Sequence, residues 1–143
     1  MTTTPAATAN TPTLHRFLGI GLVLVATVFL ALTYGGIAPV LAADGVTPKV
    51  AYAFAAVAVV LVAVALLLCK PRVPNRGPGQ SVDEYWSTPE VSEKVMLVWF
   101  LLEGAGTLAG VGYLLTGELV TAIAMGLAIV VFWMFGPSAF ANA

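Results

Sequence analysis

Charge is the scarcest thing in this 143-residue chain. Asp, Glu, Lys and Arg together make up 9%, where an ordinary soluble domain carries about a quarter. Hydrophobic residues make up 59%, and the mean hydropathy is +0.97. So little polar surface excludes a water-soluble fold. Six basic residues against seven acidic ones give a formal net charge of -1, so there is no basic excess to hold nucleic acid or to drive adsorption to anionic lipid. One cysteine, Cys69, excludes an intramolecular disulfide framework and any multi-cysteine metal site. One histidine, His15, makes no metal site alone and reads as an interface residue beside Arg16. No cofactor is expected.

What the chain has instead is long apolar runs. About 20 apolar residues cross a ~30 Å hydrocarbon core as a helix, and a helix satisfies its own backbone in lipid. Four such runs are present, from about Phe17 to Ile37, Val50 to Cys69, Val95 to Thr116 and Leu119 to Phe135. The expected fold is all-α: a polytopic membrane protein with four transmembrane helices arranged as two antiparallel hairpins. Gly35, Gly36, Pro39, Asp44, Gly45 and Pro48 punctuate the first connection, and Thr116-Gly117-Glu118 closes the last one tightly. The alanine-rich second run implies close helix packing. His15-Arg16, an apolar run and Val40-Leu41-Ala42-Ala43 also fit a signal peptide, but the run is long enough to span, and retention is the expectation.

Orientation follows from the basic residues. Arg16 precedes the first run, Lys70, Arg72 and Arg76 follow the second, Lys94 opens the third, and Lys49 alone lies on the other side. This predicts a bacterial-type inner membrane protein with both termini and the 70–93 loop in the cytoplasm. Residues 1–13, rich in Thr, Ala and Pro, read as a flexible tail, and 14–143 as the transmembrane domain.

The 70–93 loop has two halves. Lys70 to Gly79 is rich in proline and glycine, hence extended, with basic residues suited to lipid headgroups. Ser81 with Glu84 matches a capping box, and Ser87-Thr88-Pro89-Glu90 offers a second helix start. Tyr85 and Trp86 between them, and Trp133 in the fourth run, are expected as interfacial anchors.

Glu103 is the one ionisable residue well inside an apolar run. It lies nine residues after Lys94, about 13 Å along a helix and near mid-membrane. Such a carboxylate is costly there and marks a functional site by default. It is open to three readings: a neutral packing residue, a reversible proton or cation site with Thr27 and Thr107, or a catalytic acid. The last lacks a partner carboxylate, histidine or nucleophile at its depth. At about 100° per residue, Trp99, Glu103, Gly106, Thr107, Gly110, Tyr113 and Gly117 share roughly a third of the helix circumference. Gly106 and Gly110 form a GxxxG, so this face, with Gly117, is expected to pack on protein. Cys69, at the end of the second run, reads as an unreactive thiol.

Trp99-Phe100-Leu101-Leu102-Glu103-Gly104, followed by Tyr113-Leu114-Leu115-Thr116-Gly117, resembles a pattern in small, uncharacterised four-helix bacterial membrane proteins over about 19 residues. A looser resemblance is to the proteolipid c subunit of rotary ATP synthases, in which a cytoplasmic loop also joins two helices and the outgoing helix carries a midmembrane carboxylate. That would map onto Glu103. The long proline-rich loop here departs from the short polar turn of c subunits, and the glycines lie on the Glu103 helix and not on the preceding one. The expectation is a non-enzymatic accessory or assembly subunit of a larger membrane complex. Its partners would be the lipid bilayer and other membrane subunits, not nucleic acid. The alternative is a proton- or cation-binding transport component.

Overall fold

A computed structural model describes residues 11–37 and 47–142. Residues 1–10, most of the first connection and the small-residue string at 40–43 lie outside the described residues. Six α-helices follow in order: α1 (Thr11–Tyr34), α2 (Thr47–Ala63), α3 (Val82–Ser87), α4 (Pro89–Thr116), α5 (Leu119–Met134) and α6 (Pro137–Ala141). No strand occurs among the described residues. By length and composition three helical segments can cross a membrane: Thr11–Tyr34, Pro48–Arg72 and Pro89–Thr116. The fourth apolar run forms the 16-residue α5, about 24 Å long at 1.5 Å per residue.

Several boundaries differ from the sequence expectation. Helix α1 begins at Thr11, so the last residues of the expected tail are helical. Helix α4 begins at Pro89, which draws the end of the 70–93 loop into the helix, because Pro with its fixed φ favours the first turn. Thr88 is the N-cap residue, but its side chain makes no capping bond and donates to the Glu84 carbonyl instead. The earlier cap forms as the sequence implies, with Ser81 Oγ accepting from the Glu84 N–H at 3.1 Å.

Helix α2 continues as a π-helix over Val64–Cys69 and a 3-10 turn over Lys70–Arg72, the Lys70 N–H reaching the Ala65 carbonyl. Pro71 supplies the physical reason. It has no N–H to donate, and its ring collides with the carbonyl four residues back, so the turn ahead of it widens.

The α4 and α5 helices form a hairpin through Gly117, whose φ of 68° closes α4 in the left-handed conformation that glycine tolerates. Thr116 Oγ1 donates to the Gly112 carbonyl and accepts from the Glu118 N–H. Thr121 Oγ1 donates to the Glu118 carbonyl at 2.6 Å. The turn thus satisfies its polar groups locally.

Helices α1 and α2 each pack against both members of this hairpin. On one flank Gly106 faces Leu22 and Ala128, and Gly110 faces Phe29 and Met125. On the other Gly112 faces Phe54 and Thr121. The buried face of α2 is Ala51, Ala55, Ala58, Val62 and then Ala65, the close packing its composition implied. Large apolar residues such as Leu24, Val28, Val60, Ile123 and Val130 face outward, as helices in lipid require, since apolar surface gains nothing by hiding from hydrocarbon.

Candidate functional site

The sequence directs attention to Glu103, and the structure places it beside the core, not in it. The buried face of α4 runs through Val95, Val98, Leu102, Ala105, Ala109 and Gly112, a stripe centred near Leu102. Glu103 is the next position round and is half-buried, as is Thr107. Thr107 Oγ1 donates to Glu103 Oε1 at 3.2 Å, one turn along the same helix. A Cβ added at Gly104 would meet nothing within 4 Å, so α4 is open on the face about 100° round from Glu103.

Thr27 is not brought to Glu103. Leu22 lies against Gly106 and Phe29 against Gly110, which sets Thr27 at least a turn further along than Glu103. Its hydroxyl donates to the Val23 carbonyl of its own helix, and the residue is exposed. Among the described residues Thr107 is therefore the one side chain hydrogen-bonded to Glu103.

Of the glycines expected at a helix contact, Gly106 and Gly110 are buried there: added methyls would lie 2.8 Å from Leu22 Cδ1 and 2.7 Å from Phe29 Cδ2. Gly117 instead serves the turn, its N–H donating to the Tyr113 carbonyl. Gly112 is the closest approach of this helix and lay outside the expected stripe. A methyl there would sit 2.6 Å from Phe54 Cβ.

The richest side-chain chemistry lies at the opposite end of α4, where α1 begins and α5 ends. His15 is 2% exposed and stacks on Phe132 with ring centroids 4.5 Å apart and planes 4° from parallel. Trp99 and Trp133 stand 4.6 and 5.5 Å away. The His15 Nε2 is 3.2 Å from the Phe132 carbonyl. Trp99, fully buried, donates from Nε1 to the Phe135 carbonyl at 2.7 Å. The expectation of an interface histidine missed this setting, because the rings around His15 come from residues far away in sequence. A cavity of about 380 Å³ opens beside it, lined in part by Arg16, Trp133 and Ser138.

Tyr85 and Trp86, expected at the headgroup level, are buried against protein at 1% and 4% exposure. Tyr85 donates its hydroxyl to the Pro74 carbonyl at 2.9 Å, and burial raises its pKa above the ordinary tyrosine value. Trp86 packs toward Trp99, and its carbonyl accepts from Ser92 Oγ at 3.0 Å. Ser92 in turn accepts from Thr11 Oγ1 at 3.3 Å, tying α1 to the start of α4. Trp133, also expected as an anchor, is 45% exposed. Among the described residues no group of three His, Cys, Asp or Glu side chains is placed to hold a metal ion.

Comparison with known proteins returns no match: no family model, no curated protein and no solved structure is similar to this chain.

Proposed function

We propose that the chain is a four-span inner-membrane protein of bacterial type, working as a non-enzymatic subunit of a larger membrane assembly. The observation that carries this is the setting of Glu103. A half-buried carboxyl group halfway along an apolar helix has, among the described residues, one hydroxyl as its hydrogen-bond partner. Hydrocarbon offers it no further hydrogen bond, whereas a neighbouring protein helix does. Gly104, about 100° round the helix, leaves room on the adjoining face for that helix to come close.

Support for the fourth span comes from α5 lying alongside α4, from Thr121 against Gly112 to the Phe135 carbonyl against Trp99. Support for the orientation comes from Arg16, Lys70 and Lys94, which flank the aromatic end, with Lys49 at the start of α2. Retention of basic flanks on the inside puts that aromatic end in the cytoplasm. Mild-detergent extraction followed by native electrophoresis and mass spectrometry tests the proposal. The expected result is a complex with at least one other membrane protein, disturbed by Glu103→Leu. A stable lone chain under those conditions overturns it.

A second reading, a proton-binding transport component, is favoured by the Thr107–Glu103 hydrogen bond. With Thr27 turned to its own helix, Thr107 is the one described side chain hydrogen-bonded to Glu103, whereas a hard cation takes about six or more oxygens. The reading therefore narrows to a proton on Glu103. Unchanged ion flux and unchanged carboxyl labelling in Glu103→Gln would sink it.

A further inference from the structure

A second cavity, of about 330 Å³, lies where the α2 segment leaves its apolar run. Its wall has two chemically distinct parts. Leu66 and Phe140 are apolar, while Lys70, Asn75 and Tyr85 are the lining residues that carry polar side chains. The Lys70 ammonium lies 4.6 Å from the centroid of the Phe135 ring, which confines a flexible side chain by a cation–π contact. It has no carboxylate partner: among the described residues the single ion pair joins Lys94 to Glu90.

This cavity is built into ordered backbone. The Tyr85 hydroxyl holds the Pro74 carbonyl, the Val73 N–H donates to the Lys70 carbonyl at 3.1 Å, and Val73 is buried. Asn75, next to Pro74, is exposed and lines the same cavity. The π-helix of Val64–Cys69 supplies Leu66 to the wall, and such wide turns recur at functional sites. Leu67 and Leu68, next along it, are 72% and 54% exposed, so the turn that supplies Leu66 also presents apolar side chains outward.

We propose that this cavity binds an anionic phospholipid, its phosphodiester held by Lys70 and Asn75 and the first part of an acyl chain lying along Leu66 and Phe140. The ligand chemistry follows from the wall. An unpaired ammonium and an amide suit a phosphate oxygen, the apolar part of the wall suits a chain attached to it, and basic pockets between membrane helices take anionic headgroups. A free phosphate would use the polar half alone.

The test uses the full chain in mild detergent, exchanged into phosphatidylcholine discs with or without phosphatidylglycerol, and reads the lipid retained per chain by native mass spectrometry. Phosphatidylglycerol is expected to be retained in preference to phosphatidylcholine. Lys70→Gln should lower that retention about fivefold, the worth of one basic residue near an anionic headgroup. Ala139→Phe, which fills the cavity and leaves every charge in place, should abolish it, and Arg72→Gln, outside the cavity, should leave it nearly unchanged. Equal retention of the two lipids, or undiminished preference in Lys70→Gln, overturns the proposal. So does inorganic phosphate in lipid-free detergent raising the unfolding temperature as much as phosphatidylglycerol, which would assign the site to a soluble anion. Should Ala139→Phe fail to fold, Lys70→Gln decides alone.

Discussion

The two halves of α4 solve the same packing problem in opposite ways. From Val91 to Leu102 the helix meets bulky rings and side-chain hydrogen bonds: Trp99 to the Phe135 carbonyl, Ser92 to Trp86 and Thr11, His15 stacked on Phe132. From Ala105 to Thr116 it meets its neighbours through Ala105, Gly106, Ala109, Gly110 and Gly112, with Leu22, Phe29 and Phe54 pressed against its backbone. In lipid no hydrophobic effect drives helices together. The first half gains its cohesion from polarity and ring contacts, the second from close approach and dispersion. One half is therefore sensitive to removing atoms and the other to adding them.

The largest effect should come from emptying the ring-rich half. Trp99→Ala deletes a fully buried ring and its hydrogen bond, and should cost about 3–5 kcal/mol, measured as the shift in an SDS-titration unfolding curve. The counterpart in the glycine half is an added methyl. Gly112→Ala places Cβ against Phe54 Cβ, near the α2 backbone where nothing swings aside, and should cost about 2 kcal/mol despite the better helix propensity of alanine. If it proves neutral, α2 is not held as closely as the structure has it, and the comparison fails on that side.

Ser92→Ala removes the hydroxyl linking Thr11 to the Trp86 carbonyl, and about 1 kcal/mol is expected from the same assay. Gly104→Ala is the control for the glycine half. Its Cβ meets nothing, so the isolated chain should change by less than about 0.5 kcal/mol, and a larger loss seen only in the assembled complex would locate the partner on that flank. The smallest effect concerns Tyr85. Its raised pKa means the folded chain holds the phenolic proton more tightly than the unfolded one. That contribution is complete below the ordinary value of 10.0 and is lost as pH rises through the folded-state value. Tyr85→Phe should flatten the alkaline end of the stability profile.

How much of this could be read from residues alone depended on range. The helical class and the α4–α5 turn follow from apolar length and from Thr116-Gly117-Glu118, both local. The Ser81 cap follows from a spacing of three. The burial of His15 was not legible because its stacking partner lies 117 residues away, and no pattern near Arg16 reveals that. Tyr85 and Trp86 suit a membrane interface and a protein interior equally by chemistry; what decided between them was the Pro74 carbonyl, 11 residues back. The Glu103 stripe was drawn around its polar member, which rotated it away from Leu102, the true centre of burial. That rotation, about 70° at 100° per residue, admitted Thr107 and left out Gly112.

The Gly117 turn bears on how such a chain enters a bilayer. Two residues separate α4 from α5, too short a tether for one helix to settle before the other starts to follow. In the proposed four-span arrangement the pair would cross as a single hairpin, taking Glu118 across, Glu103 into the hydrocarbon, and a turn whose polar groups are already bonded to one another, and α5, the shortest of the four apolar runs, would be drawn in by its longer neighbour.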